Sequence, residues 1–390
     1  MKALRFYLIM ALLILGNIIN MVFPKGVGLV GQVGIIEDLS KYIYGLAIVI
    51  MLPSVFSTTS FYFSKMKYMA FVIVFYIVFA YASEVTFELS QYIKMFMICI
   101  SFVFFEDVFD NSFKIDRRVI VLYIISAFLN VVYLTILQNR LGIAIDNEGE
   151  TSGGQSLANV MVLLVPLFFY FFKGRVSVFL YSLGLIVVLV SLRRTAILAY
   201  LLCLPFIVQY MQKGRTLKGT AILLLIGVSI IVFYIYTHYW YIIQDRFMDM
   251  LVANDEGNYG SGRTGWWRAL IVNYLSAPLH YLQGFGLGRV AIDMELAGAP
   301  YGHAHSGYLE IIYTFGLLGF YLWFGTFRNI LKIPRADSIE NCAPLIRMSV
   351  YSYLFISLFS ASTFQPNIVC VALFAVLMLR RSQWVESKVK

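Results

Sequence analysis

The chain has 390 residues, of which 60% are hydrophobic and 13% charged, with a formal net charge of +9. Repeated apolar runs long enough to cross about 30 Å of hydrocarbon at about 1.5 Å per residue mark an all-α, polytopic helical membrane protein. Their continuity excludes a β-barrel, and most Lys and Arg fall in segments read as cytoplasmic, so the excess charge orients the chain and implies no nucleic-acid partner.

Twelve spans are predicted, at about 4–23, 42–57, 68–84, 91–106, 119–137, 156–172, 176–192, 195–211, 219–239, 306–327, 346–362 and 366–380. Both termini are expected in the cytoplasm. The spans divide the chain into an N-terminal bundle, 1–239, one long external loop, 240–305, and three C-terminal spans with a tail, 306–390. The first run lacks a small-residue cleavage site and reads as an uncleaved span. Cys99, Cys203, Cys342 and Cys370 fall in spans or a cytoplasmic loop, which leaves no external disulfide framework and no CxxC metal pair.

After the first span, KGVGLVGQVG carries Gly26, Gly28, Gly31 and Gly34 at no phosphate-loop spacing and reads as a flexible loop. Lys65, Lys67, Lys114, Arg117 and Arg118 read as orientation anchors. A second external loop, about Gln138 to Gln155, is polar and acidic.

The run from Val176 to Met211 would make a helix of about 54 Å, nearly twice the hydrocarbon thickness, so it must break. SLRRT, Ser191 to Thr195, is the polar interruption within it. Basic flanks on both sides, Lys173 and Arg175 before, Lys213, Arg215 and Lys218 after, make two antiparallel spans that carry Arg193 and Arg194 to the external face. Two arginines there either snorkel to lipid headgroups or meet an anion.

The loop from about Trp240 to His305 is long, with Trp, Gly and Arg content suited to a folded, partly interfacial lid. Within it, GSGRTGWWRALIVNYLSAP reads as a helix capped near Ser261 and ended before Pro278. Arg263 sits in its first turn, where a cation opposes the helix dipole by about 0.3–1 kcal/mol, so an anion is expected beside it. Arg268 lies on the same helix, and Trp266 and Trp267 suit interfacial anchoring or stacking on sugar rings. GFGLGR, Gly284 to Arg289, reads as a tight structural turn.

The stretch HAHSGYLEIIYTFGLLG, His303 to Gly319, leads from this loop into the tenth span. Taken as one continuous helix from His305, it puts Tyr308, Ile312, Gly316 and Gly319 on one face, so a second helix is expected to approach at the glycines while His305 points into the bundle. An inward imidazole at the membrane surface is a candidate for proton transfer. Glu310 falls on another face, either accepting a hydrogen bond or standing in water. The histidines, His238, His280, His303 and His305, match no compact ligand spacing, so neither metal nor cofactor is expected.

SLRRTA (Ser191 to Ala196), SGRTGWWRAL (Ser261 to Leu270) and HAHSGYLEIIYTFGLLG, in that order, resemble the motifs of the O-antigen polymerase and O-antigen ligase superfamily over about Val176 to Phe327. The resemblance implies a GT-C-like helical fold in the bacterial inner membrane with a site facing the periplasm, and a donor glycan on undecaprenyl diphosphate. It implies that Arg194 and Arg263 hold the lipid diphosphate and that His305 activates the acceptor. Arg193, Arg268, His303, Tyr308, Glu310 and Trp267 are the candidates for a supporting role beside them. The sequence departs from the family pattern at Ser306, where asparagine is common, and at His303, which adds a second imidazole. The expected partners are undecaprenyl-diphosphate-linked donor and acceptor glycans, membrane lipids, a chain-length regulator and a lipid-linked sugar flippase. A polysaccharide polymerase is the first expectation, a ligase acting on lipid A core the alternative, and a transporter of lipid-linked sugars or small solutes the second alternative.

Overall fold

The computed structural model describes residues 2–22, 89–109, 116–140, 152–172, 174–191, 193–213, 263–286, 288–298, 304–331 and 342–359, with scattered positions between 43 and 74 and at 229, 237 and 244. Most of the span expected at 219–239, the span expected at 366–380, residues 23–42, 141–151 and 245–262, and His238 and His303 lie outside the described residues. Among the described residues every regular element is helical: α1 (Lys2–Val22), α2 (Leu89–Phe109), α3 (Arg117–Arg140), α4 (Ser152–Phe171), α5 (Arg175–Val190), α6 (Arg194–Lys213), α7 (Arg263–Leu275), a 3₁₀ turn (Pro278–His280), α8 (Arg289–Leu296), α9 (Gly307–Leu331) and α10 (Ala343–Phe359). Among the described residues, three stretches are long and apolar enough to cross a membrane: Arg117–Ile136 of α3, Arg194–Gln212 of α6, and α9.

Helix α4 is the axis of the bundle. Met161, Val162, Leu163, Leu164, Val165, Leu167 and Phe168 are all fully buried, so no face of the helix is left for solvent or lipid. Its neighbours α3, α5, α6 and α10 cover it. The outer helices behave in the opposite way. On α3, Leu122, Ile125, Leu129, Tyr133 and Ile136 repeat every three or four residues and are 57%, 41%, 49%, 43% and 51% exposed. An apolar stripe of this kind suits contact with hydrocarbon, as the length and apolarity of α3 do.

The hairpin expected at SLRRT is present. Tyr181 donates its hydroxyl to the Tyr200 carbonyl at 3.2 Å, Tyr200 returns the bond to the Tyr181 carbonyl at 2.7 Å, and the two rings stack at 4.6 Å. A Cβ at Gly184 would collide with the Tyr200 hydroxyl, so glycine there sets how closely α5 and α6 approach. This antiparallel pair fixes the turn that carries Arg193.

Beside the bundle, α7, the 3₁₀ turn and α8 pack on one another and on the first turns of α9. Leu270, Val290, Met294, Ala304 and Tyr313 form a small apolar core there, with Trp266, Trp267, Tyr274, Phe285 and Leu309 half-buried around it.

Helix α9 differs from the expected continuous helix. Gly316 has φ 64° and ψ −164°, a conformation open essentially to glycine alone, and the chain kinks there. Two helical rungs open as a result. Leu317 N–H donates to the Tyr281 carbonyl at 2.8 Å and Leu318 N–H to the Leu282 carbonyl at 3.1 Å. The carbonyls they leave, of Tyr313 and Thr314, accept from Phe285 N–H at 2.8 Å and Gly286 N–H at 2.9 Å. Residues 281–286 thus enter the break and satisfy both sides of it, as a span with interrupted hydrogen bonding requires. The glycine does admit a close neighbour, yet that neighbour is a loop and not a helix. A Cβ at Gly316 would meet the Leu282 carbonyl, and one at Gly284 the Thr314 backbone.

Candidate functional site

His305 stands two residues before α9 and is half-buried. Its φ of 52° makes it the one non-glycine in the left-handed region among the described residues. The expected continuous projection from His305 is therefore corrected: the helix begins at Gly307, and the imidazole is aimed by a turn rather than by helical periodicity. Ser306 follows as the N-cap, its carbonyl accepting from Glu310 N–H at 3.0 Å and its hydroxyl from Leu309 N–H at 3.5 Å. Asparagine also caps helices well, so the departure at Ser306 preserves the local chemistry.

The residue before His305 is equally constrained. Ala304 is fully buried in the small core, and its carbonyl accepts the Trp267 indole N–H at 2.5 Å. Trp267 thereby ties α7 to the turn that holds His305. Tyr308, in the first turn of α9, donates its hydroxyl to the Leu354 carbonyl of α10 at 2.8 Å. The histidine turn is anchored on one side to the loop cluster and on the other to the bundle.

Glu310 does not stand in water. It is 2% exposed, and neither carboxylate oxygen has a partner in hydrogen-bond geometry.

Arg194 is the first residue of α6 and Arg263 the first of α7, and both are half-buried. Arg193 is the N-cap before α6: its carbonyl accepts from Ile197 N–H at 2.9 Å, and its own N–H reaches the Ser191 hydroxyl at 3.4 Å. Each of these helices thus opens with a guanidinium where unpaired amides and the positive end of the dipole already favour an anion. That Arg194 shares this placement was legible only once SLRRT was seen to end a helix and begin another. Arg268 is exposed on α7. α10 packs against both α6 and α9, so the helices bearing Arg194 and the histidine turn share one neighbour, and α7 packs directly on α9.

One polar group escaped the sequence-based reading. Asp293 of α8 is 4% exposed and accepts from Arg289 Nε at 3.0 Å and from the Tyr313 hydroxyl. The carboxylate raises the Arg289 pKa above its ordinary value chiefly through that hydrogen bond, so the guanidinium stays charged at any working pH. The i,i+4 spacing of Arg289 and Asp293 was the available signal. GFGLGR is structural as expected: it supplies Phe285 and Gly286, whose amides bond into the α9 break, with Gly284, Gly286 and Gly288 all at positive φ. His280 serves the same turn, its Nδ1 3.0 Å from the Gly284 carbonyl and its ring stacked on Phe285 at 4.3 Å.

Among the described residues no group of three or more His, Cys, Asp or Glu side chains is arranged to hold a metal ion. What the segment offers is two helix-opening guanidinium groups and a constrained imidazole, a set suited to an anionic ligand and a proton transfer. Residues 178–324 match the O-antigen ligase family. The matched stretch runs from α5 into α9 and contains Arg194, Arg263 and His305, which bears out the resemblance to the O-antigen polymerase and ligase superfamily. No curated protein matches the chain. The break in α9 and the loop that enters it lie inside the matched segment, and the axial helix α4 lies before it.

Proposed function

We propose that the protein is a glycosyltransferase of the bacterial cytoplasmic membrane that polymerises undecaprenyl-diphosphate-linked repeat units into a surface polysaccharide at the outer face. The observation that carries this is the combination, within the O-antigen ligase segment, of two arginines each opening a helix and a histidine aimed from a constrained turn at the head of a membrane span. In this reading Arg194 and Arg263 hold the donor's diphosphate, and His305 takes the proton of the acceptor hydroxyl. The hydroxyl oxygen attacks the anomeric carbon, the bond to the diphosphate oxygen breaks, and undecaprenyl diphosphate leaves with its charge stabilised by the guanidinium groups. About twelve spans, a GT-C-like arrangement and cytoplasmic termini belong to the same proposal.

The description of the matched family favours a second reading, a ligase that moves the finished glycan to lipid A core. Both readings use the same donor and the same three residues. The family match favours either of them over transport. The test is purified protein given a synthetic lipid-linked repeat unit as sole substrate, with EDTA present. A ladder of lengthening products is expected. A protein that consumes the donor only when lipid A core is added is a ligase, and one that consumes it under neither condition overturns the transferase reading.

A further inference from the structure

The loop cluster carries an apolar face that its own small core leaves uncovered. Ile271, Val272 and Leu275 share one exposed stripe of α7, and Leu279 and Leu282 follow in the turn after it, 88% and 70% exposed. Arg268, also exposed, heads the same stripe. From Ala269 to Gly288 the sequence holds no Asp, Glu, Lys or Arg, so charge stops at Arg268 and returns only at Arg289. Bonds to α9 set the depth of this face. The Tyr281 and Leu282 carbonyls accept from Leu317 and Leu318, about 15 Å along a membrane span. If the hydrocarbon began only there, the rest of α9, Leu317 to Leu331, would cover about 22 Å of a layer about 30 Å thick. Part of the outer half of α9, and the turn bonded to it, therefore lie within the layer. Leu317 and Leu318 are themselves exposed, so the apolar face of the turn continues that of the span.

The polar groups of the turn are closed within the protein. The last four carbonyls of a helix have no partner inside the helix and commonly turn to water. In α7 each has a protein donor: Val272 accepts from Ser276 N–H at 3.0 Å, Asn273 from the Ser276 hydroxyl at 2.9 Å, Tyr274 from Ala277 N–H at 3.2 Å and Leu275 from the Tyr281 hydroxyl at 2.6 Å. The Tyr281 carbonyl also accepts the Tyr274 hydroxyl at 2.6 Å, and the His280 carbonyl accepts Gly284 N–H at 2.7 Å. Non-helical backbone at membrane depth requires such closure, because hydrocarbon offers no partner. We propose that residues 269–286 are a re-entrant segment that dips into the outer leaflet, where Ile271, Val272, Leu275, Leu279 and Leu282 contact lipid acyl chains while Arg268 stays at the headgroups. The proposal concerns where the segment sits and stands apart from the transferase reading above.

The test uses the full-length protein in liposomes of phosphatidylethanolamine and phosphatidylglycerol. Its four cysteines are replaced by alanine and a nitroxide is attached, one site at a time, at Thr264→Cys, Leu279→Cys and Leu282→Cys. Thr264, exposed in the first turn of α7, is the reference outside the hydrocarbon. Power saturation then compares collisions with dioxygen, which concentrates in hydrocarbon, and with a water-soluble nickel chelate. The ratio of dioxygen to nickel collisions is expected to be several-fold higher at 279 and 282 than at 264. Nickel collisions at 279 and 282 as frequent as at 264 place the segment in water and overturn the proposal. Low collision rates with both reagents mean that protein covers the face, and overturn it equally. Because the cysteine replacements are themselves buried and can impair folding, a second measurement keeps the native cysteines. p-Benzoylphenylalanine in place of Leu279 or Leu282 is photolysed in the same liposomes and the product is weighed by mass spectrometry. Adducts of one phospholipid mass are expected at both positions, and their absence, or adducts to protein alone, overturns the proposal.

Discussion

The bundle around α4 and the loop cluster around α7 and α8 are held together by different physics. In the bundle, one large apolar cluster runs from Phe6 to Ile356, with polar pairs such as Tyr181 and Tyr200 set within it. The loop cluster has a core of five fully counted side chains, and much of its definition comes from directional bonds: Trp267 to Ala304, Arg289 and Tyr313 to Asp293, and four backbone bonds across the α9 break. Apolar packing tolerates small adjustments in angle, whereas hydrogen bonds weaken steeply with misalignment. The candidate base stands on the region with the directional bonds, and the bundle supplies the wall against which it is fixed. Substitutions should therefore separate stability from chemistry according to region.

The largest effect is expected from His305→Ala, which removes the proposed base. Turnover of a lipid-linked repeat should fall by about 10² to 10⁴-fold, with the thermal midpoint of the purified protein near that of wild type. Unchanged product length in cells at equal protein level would remove His305 from the chemistry. Gly316→Ala comes next, because it both forces a side chain into a glycine conformation and drives a Cβ into the Leu282 carbonyl. A loss on the order of 3 kcal/mol is expected, read as a lowered unfolding midpoint together with faster exchange at residues 281–286. If the variant is as stable as wild type, the loop does not depend on the break.

Asp293→Ala leaves the Tyr313 hydroxyl and Arg289 without their shared acceptor. It should loosen α7 and α8 by about 1–3 kcal/mol, seen as faster exchange there and none in α4. Exchange spreading evenly into the bundle would mean that the two regions unfold as one. The smallest effect is expected in the bundle itself. Tyr200→Phe deletes one of two reciprocal bonds while keeping the stacked ring, so a loss of about 0.5–1.5 kcal/mol should appear in the unfolding midpoint with kcat unchanged. A fall in kcat comparable to that of His305→Ala would show that the α5–α6 pair controls the site more directly than its packing suggests.

Much of this architecture was legible from the chain alone. Membrane helices follow from run length, because hydrocarbon satisfies no backbone group and only a continuous helix satisfies its own. The SLRRT hairpin followed from a run too long for one crossing, and the limits of α7 from a glycine-rich start and Pro278. Arg194, Arg263 and His305 were recognisable because charge at a membrane boundary is costly and therefore conspicuous. The left-handed turn at His305, the burial of Glu310 and the opening of α9 at Gly316 were not. Helical periodicity assumes that each amide bonds four residues back, and at Leu317 and Leu318 those bonds are replaced by carbonyls some 36 residues earlier in the chain. Local sequence determines which segments become helices and which side each charge prefers. Which helix stays whole, and where its first side chains aim, depended on a distant loop supplying the backbone partners, and only the tertiary structure decided that.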